Sequence, residues 1–213
     1  MSMPKSWPLH RKKGNRTYIS KPEALVENSL TSLVILRDIL KLAKTRAEIK
    51  KIVQEGQVEI NGKKINDEAY PVQLFDVINL PKINKHYRLT LTKNGKLNVK
   101  EISIAESKKK ACKIISKKVL KGNKIQINLD DGKNFITNDG EVNDSAIIEL
   151  KTNKIENILK VKEKMNVMII NGKRKGHIGI ITKIDGTGKK RIIHIKTNEK
   201  EIKSSIKDII VLE

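Results

Sequence analysis

The sequence predicts an α+β, multi-domain chain: a small α/β domain, a central antiparallel β domain and a C-terminal β domain. Three observations carry that expectation. Between residues 29 and 56 apolar side chains recur at three- and four-residue steps, the period of helices with one buried face. From about 83 to 165 the period drops to two and turn pairs recur: Asn94-Gly95, Gly122-Asn123, Asp131-Gly132 and Asp139-Gly140. These are hairpin signals. Beyond 166 a glycine-bounded basic turn interrupts isoleucine-rich strands in "NVMIINGKRKGHIGIITKI".

Residues 1–27 come first. They hold three prolines, few apolar residues and the cations Arg11, Lys12, Lys13 and Arg16. Such a stretch buries too little to fold alone and reads as an extended arm that orders on a partner. Trp7, the only tryptophan, sits here with Tyr18. Stacking on a base and packing back on the body both suit an indole in that setting.

The next segment, 28–81, opens with a helical stripe of Leu33, Leu36, Leu40 and Ala43, with Arg37, Lys41 and Lys44 on another face. Thr45 and Glu48 form a capping-box pair that starts a second helix. Ile49, Ile52 and Val53 face inward there, and Arg46, Lys50 and Lys51 face out. Gly56 suits the left-handed residue that ends a helix. In "QVEINGKKI" the alternating Val58 and Ile60, followed by Asn61-Gly62, predict a two-residue hairpin turn. Lys63 and Lys64 follow it, and "LFDVINL" is a further short strand. Two short helices followed by a tight basic hairpin resemble the small S4-type RNA-binding domain. That resemblance implies an L-shaped surface that docks on RNA.

Residues 82–165 read as strands and turns, in "KIQINLDDGKNFI" and again in "SAIIELKTNKIENILKV". The lysine-dense "ESKKKACKIISKK" is expected to include a helical turn. The C-terminal segment, 166–213, adds strands in "KRIIHIKT" and "IIVL". Its basic turn resembles a KOW motif, which implies an SH3-like β-barrel. Gly172 and Gly176 permit the turn, and Gly179 allows neighbouring backbones to approach closely.

Charge narrows the function. The 213 residues hold 45 Lys and Arg against 24 Asp and Glu, a formal net charge of +21. An excess of that size strains a compact chain by self-repulsion unless a polyanion neutralises it. The basic residues are spread from Lys5 to Lys207, so several parts of the fold should face the anion. No stretch approaches the ~20 apolar residues of a membrane span, and no apolar run follows the N-terminal cations as in a signal peptide. The expectation is a soluble, cytoplasmic protein with no membrane contact.

Catalytic and metal readings fail residue by residue. A Walker loop needs Gly, four residues, then Gly-Lys-Ser/Thr. Here Lys173 is followed by Arg174 and Val167 takes the place of the first glycine. "DGTGKK" fails too, with Lys183 and Lys190 where the glycine and the hydroxyl belong. Asp130, Asp131 and Asp139 adjoin glycines and read as turn formers. One cysteine, Cys112, reads as a small buried hydrophobe. His10, His86, His177 and His194 lie too far apart to pair as zinc ligands. We therefore expect no enzyme, no metal, no cofactor and no small-molecule substrate. RNA is preferred to DNA because no zinc finger, zipper or reading helix is present, and at 3% aromatic the contacts should rest on backbone and shape.

"KSWPLHRKKG", "SLVILRDIL", "YPVQLFDVINL" and "GKRKGHIGIIT" together resemble the archaeal/eukaryotic S4e family of small-subunit ribosomal proteins. The likeness spans arm, S4-type domain, central β domain and KOW barrel in that order. Eukaryotic members extend past the last barrel, so a chain ending at Glu213 favours the archaeal type. The resemblance implies a structural constituent of the small ribosomal subunit that binds ribosomal RNA beside neighbouring ribosomal proteins. The RNA-facing residues it implies are Trp7, Arg11, Lys12, Lys13 and Arg16 in the arm. In the S4-type domain they are Arg37, Lys41, Lys44, Arg46, Lys50, Lys51, Lys63 and Lys64, and at the last turn Lys173, Arg174, Lys175 and His177. The alternative is an extraribosomal RNA-binding or transcription/translation factor that uses the same barrel.

Overall fold

A computed structural model describes residues 3–9, 19–23, 26–122, 124–188, 191–197 and 200–212. The chain divides into two units, residues 1–92 with 96–108, and residues 93–95 with 109–213. In the first unit β1 (Ser29–Thr31) runs into α1 (Ser32–Val34), which continues as a wider π turn over Ile35–Ile39. Then follow α2 (Arg46–Gln54), β2 (Glu59–Ile60), β3 (Lys63–Lys64) and β4 (Pro71–Gln73). β5 (Val77–Leu80), β6 (Lys85–Leu91) and β7 (Leu97–Glu101) complete the unit. β1 pairs with β4, and an antiparallel sheet runs in the order β3-β2-β5-β6-β7.

The first helix differs from its predicted form. Leu33, Val34, Ile35 and Leu36 are all buried, so the helix is enclosed on more than one face. It also ends early. The Leu40 N–H reaches back to the Ile35 carbonyl and the Leu42 N–H to the Leu36 carbonyl, both at 2.9 Å. Between them Lys41 adopts a left-handed conformation, φ 54°. These bonds, five and six residues back, close the wide turn, with lysine in the left-handed position where glycine is usual. Leu40 and Ala43 therefore do not prolong the apolar stripe, and Lys41 and Lys44 lie on a loop.

The second helix follows expectation. The Thr45 hydroxyl accepts the Glu48 N–H, and the Glu48 carboxylate accepts the Thr45 N–H, while Ile49 and Val53 are fully buried. Asn61 and Gly62 both take positive φ, 52° and 76°. The Asn61 amide then donates to the Asp76 carboxylate at 2.8 Å and accepts the Val77 N–H at 3.0 Å, which ties the hairpin to β5. The described part of the arm corrects the expectation of a free extension. Trp7 is 2% exposed, its indole N–H donates to the Val26 carbonyl at 2.9 Å, and the Ser6 carbonyl accepts the Leu97 N–H at 2.7 Å.

The second unit is all β. β8 (Lys109–Val119), β9 (Ile125–Leu129), β10 (Asn134–Thr137), β11 (Ser145–Glu149) and β12 (Lys154–Leu159) form a sheet in the order β10-β9-β8-β11-β12. The lysine-dense stretch is thus mostly strand. It opens with the expected helical turn, at Glu106–Lys108, and continues as strand from Lys109. Alternation decides the matter, because Lys110, Cys112 and Ile114 point inward from one face and a bulge after Ile114 lets β8 pair first with β11 and then with β9. Cys112, Ile114, Ile127, Leu129, Ala146 and Ile148 form its core.

β13 (Asn166–Ile169), β14 (Ile178–Asp185), β15 (Ile192–Lys196), β16 (Glu201–Ser205) and β17 (Ile209–Val211) make the last sheet, ordered β16-β15-β14-β13-β17. β16 was not expected from sequence. Isoleucines and valines 167, 169, 181, 193, 195, 202, 206, 209 and 211 fill its interior. The two sheets of this unit are joined by polar ties: the Val211 N–H donates to the Ser145 hydroxyl at 2.8 Å, and the buried Lys113 ammonium donates to the carbonyls of Ile206, Lys207 and Ile209 at 2.9, 2.7 and 2.6 Å. The protein as a whole is mostly β with few helices, which corrects the α+β expectation.

Candidate nucleic-acid interface

Two groups of cations can be placed. In the first unit, α2 buries Ile49 and Val53 and leaves Lys50 and Lys51 exposed on its outer side. Arg46 at its start is exposed, but its guanidinium grips the buried Glu68 carboxylate through Nε at 3.0 Å and Nη2 at 2.7 Å. That contact holds the Glu68 carboxyl below the usual carboxylate range and fixes the direction of the arginine. Lys63 and Lys64 are exposed on β3. An open groove of about 600 Å³ between the 41–44 loop and α2 is lined by Leu42, Ala43 and Ile52, by Lys41, Lys44 and Lys51, and by Glu48 and Glu55.

Arg37 is different. Its side chain is half-buried and engaged by the neighbouring Asp38 carboxylate through two bonds of 2.9 Å, so it presents less free charge than the helical stripe implied. Lys41 carries a cost that can be measured. A non-glycine residue in the left-handed region is strained by about 1 kcal/mol. Lys41→Gly should therefore raise stability by about that amount while removing one cation from the groove. Urea unfolding checks the first effect. A variant no more stable than the parent would show that the lysine side chain stabilises the cap in some other way.

In the second unit the β13–β14 connection is the basic turn. Gly172 and Gly176 take φ of 84° and 92°, and the Gly176 N–H closes on the Ile169 carbonyl at 2.7 Å. Lys173 and Arg174 are exposed, whereas Lys175 and His177 are half-buried. The His177 ring Nδ1 meets the Arg174 carbonyl at 3.0 Å, and since a carbonyl only accepts, that nitrogen carries the proton. The tip therefore offers two cations where three were expected. Trp7, buried and hydrogen-bonded, is not available to stack on a base. Arg11, Lys12, Lys13 and Arg16 lie outside the described residues. Sequence reading also passed over the cations at the far end of β8, whose signal is the lack of any acidic residue between Glu106 and Asp130. Asp131 does serve the turn after β9, accepting the Lys133 N–H at 3.0 Å, whereas the Asp130 carboxylate reaches across to the Lys113 N–H of β8 at 3.0 Å. Asp131 also pairs with the buried Lys110 at 3.1 Å. No helix among the described residues is long and apolar enough to cross a membrane.

A strongly basic, mostly-β chain built on an S4 domain is the class defined by these elements, and residues 34–78 match that domain. Residues 83–155 match the ribosomal family S4e. The chain is 36% identical over 188 residues to small ribosomal subunit protein eS4 of Methanocella arvoryzae, covering 86% of this chain and 79% of that protein. Over 213 residues it is 32% identical to the eS4 protein of Archaeoglobus fulgidus, covering 99% and 89%. The crystal structure of 30S ribosomal protein S4e from Thermoplasma acidophilum superimposes with a TM-score of 0.75 at 28% identity, covering 87% of this chain and 95% of that one. The chain belongs to the ribosomal S4e family.

Proposed function

We propose that the chain is a structural, non-enzymatic protein of the small ribosomal subunit that binds and stabilises ribosomal RNA. The observation that carries this reading is the S4 domain of an S4e-family chain bearing exposed cations on its second helix and hairpin. Each phosphate neutralised by Lys or Arg releases condensed counterions, which supplies most sequence-independent affinity. Lys41, Lys44, Arg46, Lys50, Lys51, Lys63 and Lys64 form one contact surface on this reading, and Lys173 and Arg174 a second, with Lys175 and His177 supporting the turn. Arg11, Lys12, Lys13 and Arg16 of the arm supply a third. We read the functional segments as arm 1–27, S4-type domain 28–81, central β domain 82–165 and, at 166–213, a KOW-type SH3-like barrel. The five-stranded order of the last sheet and its glycine-bounded basic turn support the barrel. The protein would act in the cytoplasm, on the ribosome, with neighbouring ribosomal proteins at its edges.

Replacing Lys173 and Arg174 together with Ala should leave the melting temperature unchanged or slightly higher, since like-charge repulsion falls. Affinity for small-subunit RNA should drop, and the log-log salt slope should become shallower by up to ~1.8, at ~0.9 per phosphate. An unchanged slope would remove the turn from the contact surface. Sedimentation of small subunits through a high-salt wash separates the two functional readings. A structural protein stays with the particle, and an extraribosomal factor that uses the barrel is washed off.

A further inference from the structure

The stretch between Glu106 and Asp130 holds eight lysines and no acidic residue. The fold itself uses three of them. Lys109 pairs with Glu156 at 2.6 Å, Lys110 with Asp131 at 3.1 Å, and Lys113 caps three carbonyls. At the far end of β8 and in the turn to β9, Lys118, Lys121 and Lys124 are exposed, and none has a carboxylate partner among the described residues.

Register shows which side these lysines occupy. Lys118 lies opposite Gln126, which lies opposite Ile136. In the next row Ser116 lies opposite Asn128, which lies opposite Asn134. Directly opposed residues, and residues two apart on one strand, share a face of a sheet. Lys118, Lys124, Gln126, Asn128, Asn134 and Ile136 therefore share the outer face, while Ile127 and Leu129 point into the core. Gln126 donates to Asn128 at 3.2 Å, and Ile136 is 64% exposed. The next carboxylate along β9 on this face, Asp130, sits beyond Asn128 at the end away from the lysines and accepts the Lys113 N–H, while Asp139 and Glu156 lie beside Ile136 at the β10 edge.

We propose that this outer face of β8, β9 and β10 is a further RNA contact, laid against the minor groove of an A-form duplex. The unpaired lysines call for a polyanion. Carboxamides both donate and accept, as 2′-hydroxyls do, and a row of them on an open sheet face suits a wide, shallow groove that displays those hydroxyls. An acidic protein surface would engage the lysines but give the three amides no such counterpart. The proposal rests on the reading of the chain as an RNA-binding ribosomal protein.

The test uses the full chain, small-subunit ribosomal RNA, and an RNA duplex with its DNA counterpart of equal sequence. Lys118→Ala, Lys121→Ala and Lys124→Ala combined should make the salt slope on the RNA duplex shallower by up to ~2.7. Gln126→Ala, Asn128→Ala and Asn134→Ala combined should leave the slope unchanged and reduce the preference for RNA over DNA. Thermal melts monitor folding, and if the amide variant melts lower the lysine variant decides alone. A wild-type chain that binds the RNA while both variants keep its affinity, slope and preference overturns this proposal only. A wild-type chain that binds neither RNA overturns the broader reading as well.

Discussion

Gly179→Val should destabilise the second unit by about 3 kcal/mol, the upper part of the usual range for forcing atoms into a filled interior. Gly179 lies on β14 opposite Val167. A Cβ there would sit 2.5 Å from the Lys196 carbonyl oxygen and 2.7 Å from Ile195 Cγ2. Neither can retreat easily, because one is ladder backbone and the other a fully buried side chain. The reason is room, not a glycine-only backbone angle. Gly172→Ala makes the contrast: with φ of 84° and nothing within 4 Å of the added carbon, it should cost only about 1 kcal/mol of left-handed strain. Thermal melts with hydrogen exchange over β13, β14 and β15 distinguish the two. RNA binding by the valine variant should fall only as far as its folded fraction falls. A valine variant that melts with the parent would mean that the last sheet yields where the packing says it cannot.

The second large effect is a pH dependence centred on Lys113. Burial pushes this ammonium down to about 8, against the opposing pull of Asp208 and Asp130. In the unfolded chain the same group titrates near its ordinary 10.5. Between those values the unfolded state holds more protons than the folded one, so stability rises with pH across that window. The contribution is fully present above 10.5 and lost as pH falls through 8. Over the window it amounts to about 3 kcal/mol on the scale of 1.36 kcal/mol per pH unit. Other lysines titrate there too, so the measurement is a difference: the stability of the parent minus that of Lys113→Met, by urea unfolding at pH 7.5 and pH 10.5. The gap should shift in favour of the parent by up to that amount. Parallel pH profiles would show that the three carbonyls hold the ammonium charged throughout.

These two residues also mark what local pattern conveys. Gly179 was readable because a glycine inside an isoleucine strand has few explanations other than close approach. Lys113 was not. It sits in a run of lysines that looks uniform, and only the fold separates the member that caps three carbonyls from the ones that face solvent. The same holds for the cations of the first helix. Periodicity placed Lys41 and Lys44 on a helical face, but the helix closes at Leu40 through hydrogen bonds to Ile35 and Leu36, with no glycine to announce the stop. Trp7 likewise carried two readings until its indole N–H found the Val26 carbonyl.

What the sequence determined by itself was whatever depends on neighbours in the chain. The capping box at Thr45 and Glu48, the Asn61-Gly62 turn, the left-handed Gly56 and the hairpins at 125–137, 145–159 and 166–185 all depend on a few adjacent residues and their backbone preferences, and each is found. So was the charge surplus, which is a sum and needs no fold. Tertiary structure alone decided which charges are free. Arg37, Lys110, Lys113 and Arg46 each meet an acceptor, and their partners range from one to 96 residues away. Long-range pairing also turned the lysine-dense stretch into a strand, because its alternate side chains could be buried against sheets that local pattern does not reveal. An isolated lysine carries the same charge wherever it stands, and only its surroundings determine whether that charge holds the protein together or is left for a partner.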